Sequence, residues 1–154
     1  NGGFFSFHLA CNLSASFAAI ASVTGSMSFD TFNDCNPRKP TPVLQIHGSI
    51  DAVVPYDGLL SIMKPVMEVM DYWKTANDCD EFVHTVPEII AGESSWTEIY
   101  LFENCLNDTQ NIHLKVQGAG HIWPGSKFES IKDPDTSNQI WEFFSRYDIN
   151  GVIQ

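Results

Sequence analysis

Basic side chains are scarce in this 154-residue chain: eight lysines and arginines stand against nineteen aspartates and glutamates, a net charge of −11 with histidine neutral. Such a surface repels phosphate backbones and anionic headgroups, so nucleic acid and membrane surfaces are not expected partners, whereas neutral or hydrophobic substrates are. Long hydrophobic runs are missing too. None approaches the ~20 residues needed to cross a bilayer, and the first residues do not read as a signal peptide. No two cysteines form a Cys-x-x-Cys pair and no histidine stands at zinc-ligand spacing from them, so neither a metal site nor another cofactor is expected. Internal repeats and low-complexity tracts are likewise absent.

What is present reads as a folded domain. Hydrophobic residues make up 44% and charged residues 18%, a balance that buries a core. The cysteines, Cys11, Cys35, Cys79 and Cys105, are even in number, which in an acidic, lysine-poor chain suggests two disulfides and an oxidising, extracellular compartment. The pairings Cys11–Cys35 and Cys79–Cys105 close loops of similar, moderate length; the two other pairings stay open. The chain opens on Asn1-Gly2-Gly3-Phe4-Phe5, without a starter methionine and directly into an apolar stretch. Natural termini are usually polar and frayed, so residues 1–154 are expected to be the C-terminal part of a larger protein.

Periodicity suggests the elements. Residues 2–12 are apolar nearly all round and read as a buried helix. Phe17–Val23 is a short, nearly continuous apolar run, as in a buried parallel strand, and Val43–Gly48 reads as the next strand, with a polar surface loop from Met27 to Pro42 between them. A helix from Pro65 carries the stripe Val66, Val69, Met70, Trp73 and ends at Asn77-Asp78. Residues 78–95 read as irregular. Trp96–Phe102 and Ile112–Val116 read as an antiparallel pair. A last helix over Thr136–Tyr147 is expected to bury Ile140, Phe143, Phe144 and Tyr147. The order is that of an α/β fold, a mostly parallel sheet with an added antiparallel strand pair, in which function collects on loops at the carboxyl ends of strands.

Two residues lie there. Asp51 follows the strand at 43–48, and His121 follows the strand at 112–116 within Gln117-Gly118-Ala119-Gly120-His121-Ile122-Trp123-Pro124-Gly125. An isolated histidine is more often structural than catalytic, and an aspartate after a glycine commonly caps a turn. The chain order changes the weighing. Hydrolases that attack esters need a nucleophile, an imidazole to take its proton and a carboxylate to hold that imidazole in one tautomer. In α/β-hydrolases these come in the order Ser, Asp or Glu, His, each after a strand. The serine sits on a Gly-x-Ser-x-Gly elbow that opens a buried helix. Asn1-Gly2 matches the last two positions of such an elbow, which would place the serine just before Asn1 and make the backbone N–H of Asn1 an oxyanion-hole donor.

The runs Asn1-Gly2-Gly3 with Leu9-Ala10-Cys11, His47-Gly48-Ser49-Ile50-Asp51 with Val54-Pro55-Tyr56-Asp57-Gly58, Gly118 to Gly125, and Trp141-Glu142-Phe143-Phe144 resemble secreted esterases related to polyhydroxybutyrate depolymerases and feruloyl esterases. The resemblance covers residues 1 to about 147, and His-x-Trp-Pro-Gly is its most specific piece. It implies a partial α/β-hydrolase domain lacking its first strands and its nucleophile, with Asp51 as triad acid, His121 as general base, and Cys79–Cys105 as a bridge. It implies an ester substrate, polymeric or monomeric. Trp123 is a candidate substrate-cleft residue, with a loop anchor as the equal alternative. His47 is expected to be a hydrogen-bonded strand-end residue, and His8, His84 and His113 to be structural or exposed. The rival readings are a serine peptidase of the prolyl oligopeptidase type, which shares His-Gly-x-x-Asp, and a non-catalytic binding protein on a degenerate hydrolase fold.

Overall fold

Val43–Gly48, here β2, is buried at every position, its polar Gln45 and His47 included, as befits a central strand covered on both faces. In a computed structural model, which describes residues 1–89, 95–131 and 133–153, β2 lies between two parallel neighbours. β1 (Ile20–Val23) pairs on one side, Ile20 opposite Val43, and β5 (Asn111–Gln117) on the other, Val43 opposite Asn111. β4 (Trp96–Glu103) runs antiparallel to β5, and β3 (Glu81–Thr85) antiparallel to β4, giving the order β1-β2-β5-β4-β3. The chain is therefore α/β, with three parallel strands extended by antiparallel ones.

Successive residues of β2 feed opposite faces of the sheet. Val43 joins a core with Ile20, Met27 and Phe102 beneath two helices, α1 (Gly2–Leu13) and α3 (Val66–Ala76). Phe7, Ala10 and Cys11 of α1 and Val69, Met70 and Trp73 of α3 fill it. Leu44 and Ile46 face the other way, against Leu114, Val116, and Phe143 of α4 (Thr136–Phe144). The apolar stripe of α3 is the one its sequence spacing predicts, and Asn77 closes it. Pro65 stands just ahead of the first turn, one residue earlier than the helix itself. Both disulfides form, Cys11–Cys35 and Cys79–Cys105. The first ties α1 to the end of α2 (Phe29–Asn33), a short helix inside the 27–42 loop capped by Ser28. Among the described residues no helix is long and apolar enough to cross a membrane.

Four expectations need correction. Residues 81–85 are not irregular: they form β3, whose five residues are all exposed on the sheet edge; residues 90–94 of the same stretch lie outside the described residues. α1 is not buried all round, since Phe5 and His8 face outwards. The strand expected from Phe17 starts at Ile20, after a 3₁₀ turn at 14–16. The last helix stops at Phe144, which stays exposed, and Tyr147 reaches the core from a short strand, β6 (Tyr147–Asp148), paired with β7 (Gly151–Val152).

Candidate active site

β2 and β5 end side by side, and the loops that leave them are stitched together. The Ser49 N–H donates to Val116 O at 3.0 Å and the Ile50 N–H to Ala119 O at 3.0 Å, while the Gly118 N–H donates to the Ser49 hydroxyl at 3.0 Å. Gly48 is where the two backbones touch: a Cβ there would collide with the carbonyl oxygens of Ala119 and Gly120. Only glycine admits that approach. Gly48→Ala is expected to push the two loops apart, destabilising the fold by about 1–3 kcal/mol. An unchanged thermal midpoint in G48A would contradict this packing.

The stitching brings Asp51 and His121 together across 70 residues of chain. Asp51 Oδ2 accepts from His121 Nδ1 at 2.9 Å. Its other oxygen, Oδ1, accepts from the Val53 N–H at 2.9 Å and the Val54 N–H at 2.8 Å. The turn-capping role and the imidazole contact thus fall to different oxygens of one buried carboxylate. Burial pushes this carboxyl group up, but the Val54 N–H, the His121 ring and the Val53 N–H outweigh it and leave it below its ordinary value. Asp51 is therefore an anion at neutral pH.

His121 is held by Nδ1 and has 39% of its side-chain surface exposed. Its Nε2 hydrogen-bonds none of the described residues. That is the arrangement of an imidazole oriented by a carboxylate and free to exchange a proton at its outer nitrogen. His47 lies beneath, with Nε2 3.6 Å from Asp51 Oδ2 and no exposed side-chain surface. Burial lowers the pKa of this imidazole, although the Val54 carbonyl and the Asp51 charge act the other way. Sequence placed His47 at the strand end near the site. His113 lacked any motif; it is fully buried on β5, its Nε2 2.8 Å from the Tyr56 hydroxyl.

Asn1 caps the N-terminal end of α1, its carbonyl accepting from the Phe5 N–H at 3.0 Å. Asn1 and Trp123 line one cavity of about 660 Å³, together with Val23, Thr24, Ile140 and Phe144. The start of α1 and the loop carrying His121 therefore open on the same apolar space. Trp123 is partly exposed there and its indole N–H donates to the Ser137 hydroxyl at 3.3 Å, so it is anchored to α4 while facing the cavity. Among the described residues no group of three or more His, Cys, Asp or Glu side chains could hold a metal ion.

No family model matches the chain. Two curated relatives do. The bifunctional acetylxylan esterase/xylanase XynS20E of Neocallimastix patriciarum is 25% identical over 152 residues, 99% of this chain and 20% of that protein. NocK of Nocardia uniformis subsp. tsuyamanensis, which bears an esterase name, is 29% identical over 146 residues, 82% of this chain and 41% of that protein. Both names agree with the sequence resemblance at the level of esterases. The chain spans between a fifth and two fifths of the length of these relatives.

Proposed function

We propose that the chain is the C-terminal part of the catalytic domain of a secreted α/β-hydrolase, a serine esterase acting on carboxylic esters of the polyhydroxyalkanoate or feruloyl type. The observation that carries this reading is the 2.9 Å contact between a buried aspartate and the inner nitrogen of a partly exposed histidine, at the ends of adjacent parallel strands. Esterase-named relatives and two disulfides support it.

In this reading a serine on the elbow that opens α1 attacks the ester carbonyl. His121 Nε2 takes the serine proton as the new C–O bond forms, and Asp51 stabilises the resulting imidazolium through Nδ1–H. The tetrahedral oxyanion is held by backbone N–H groups, that of Asn1 among them. His121 then returns its proton to the departing alkoxide, leaving an acyl-serine. Water repeats the cycle: His121 takes its proton, hydroxide adds to the acyl carbon, and the serine leaves with the proton. Trp123 packs on the acyl or aryl group in the cavity it lines.

The test uses the chain joined to the sequence that precedes it in the intact protein. A panel of short-chain aryl esters, hydroxyalkanoate oligomers, feruloylated sugars and chromogenic peptides is expected to show turnover of esters and none of peptides. Turnover of peptides alone would replace the reading by a peptidase. No turnover of either would leave a binding protein.

A further inference from the structure

His47 occupies a place that neither a core residue nor a second base would need. It is fully buried, yet both ring nitrogens meet polar atoms of segments outside its own strand, Nδ1 lying 3.1 Å from Gly25 O and Nε2 beside Val54 O. Nε2 is 2.8 Å from Val54 O, a carbonyl that can only accept, so Nε2 carries the proton. Nδ1 also faces a carbonyl, Gly25 O, but at the longer 3.1 Å, whereas Nε2 has Asp51 Oδ2 at 3.6 Å besides Val54 O. Burial disfavours a second proton, so Nδ1 is the acceptor, and the Gln45 amide donates to it at 2.9 Å. The same Gln45 amide nitrogen donates to Gly25 O at 2.8 Å. Tyr56 closes the pocket edge-on, its ring 5.8 Å from the imidazole.

Each end of this chain of bonds leads to a part of the candidate site. Val54 lies on the turn whose N–H groups grip Asp51 Oδ1. Gly25 is where the turn after β1 meets the beginning of α1: a Cβ on Gly25 would lie 2.5 Å from Gly3 Cα, so the two backbones are in direct contact. The end of α1 that bears Asn1 is thereby seated on a residue that the Gln45–His47 pair holds.

We propose that His47 is a positioning residue, a neutral buried strut that fixes the Asp51 turn through Val54 and, through Gln45, ties it to the Gly25 turn on which the N-terminus of α1 rests. It rests on the esterase reading for its purpose, and its geometry is independent of the nucleophile. A half-ångström drift of Asp51 Oδ2 would loosen the Nδ1 bond that selects the tautomer of His121.

Long-range ¹H–¹⁵N spectra of the intact protein, recorded where the imidazoles are neutral, read the His121 tautomer directly. Free neutral histidine favours the Nε2–H form, whereas a carboxylate at Nδ1 holds the Nδ1–H form. Wild type and His47→Gln, whose amide N–H replaces Nε2–H towards Val54 O, are expected to show Nδ1–H. His47→Asn reaches only the Gln45 side and is expected to invert the tautomer ratio. A merely structural loss would lower the melting temperature of H47N and leave His121 in the Nδ1–H form, which would overturn the proposal. Should H47N fail to fold, H47Q decides: an Nε2–H form there, with the donor to Val54 kept, overturns it equally. An Nε2–H form in the wild type would instead break the Asp51–His121 pair, and with it the esterase reading itself; persistence of Nδ1–H in all three proteins sinks only the strut.

Discussion

Alanine in place of His121, in the intact protein, is expected to lower kcat for ester hydrolysis by on the order of 10⁴–10⁶-fold, because a triad without its base leaves only binding and the oxyanion hole. His121 is partly exposed and its ring contributes one bond to the fold, to Asp51, so the thermal midpoint should stay within a few degrees. KM should move little, since the imidazole acts in the transition state and not in ground-state binding. Asp51→Asn is the sharper companion. Its amide oxygen can still accept from Val53 and Val54 N–H, so the turn survives, but its NH₂ would face His121 Nδ1 and favour the Nε2–H tautomer, which cannot accept a proton from serine. A loss of about 10⁴-fold is expected for that change. Wild-type hydrolysis by the H121A protein would end the esterase assignment of this pair.

The adjacency of Asp51 and His121 was legible because each follows a segment that reads as a strand, and chain order then constrains which strands are neighbours. What was not legible is what holds them there. The close approach of Gly48 to Ala119 O and Gly120 O is a contact between backbones 71 and 72 residues apart, and glycine spelling alone does not tell such a contact from an ordinary turn. The two-sided role of His47 depends on Val54 and Gly25, neither of which carries a side-chain signal.

The misread elements have physical causes. Glu81-Phe82-Val83-His84-Thr85 is short and every residue of it is exposed, so β3 gains its place from pairing with β4 rather than from burial, and leaves no hydrophobic stripe to read. Tyr147 lies four residues after Phe143, which fits a helical stripe. It contacts Phe143 all the same, ring centroids 5.3 Å apart, although the chain between them has already left the helix. Burial pattern therefore predicted the right contact in the wrong conformation.

Acid should unfold this protein earlier than its carboxylates alone would dictate. His113 is fully buried, its Nδ1 donating to Gln45 O at 3.1 Å and its Nε2 accepting from the Tyr56 hydroxyl at 2.8 Å. Burial pushes its pKa down to about 3, with the positive charge of Lys115 and the neighbouring His47 acting in the same direction, and the Gln45 carbonyl and Glu98 opposing them. The unfolded chain binds a proton at this histidine near its ordinary value of about 6.5, while the folded chain does not until about 3. Stability from His113 is thus complete above pH ~6.5 and falls steadily as pH drops towards ~3, by about 2 kcal/mol between pH ~7 and ~5. His47, lowered by burial as well, adds to the fall. Asp51, held below its ordinary value, joins only as pH falls past the carboxylate range. Relief of the −11 charge excess works the other way, but it too waits for carboxylates to titrate. Urea midpoints measured from pH 7 down to 5 therefore isolate the histidines. His113→Asn, which keeps a donor for Gln45 O and does not titrate, should be less stable at neutral pH and should flatten that slope. An equal slope in wild type and H113N would show that the buried imidazole does not set the acid sensitivity.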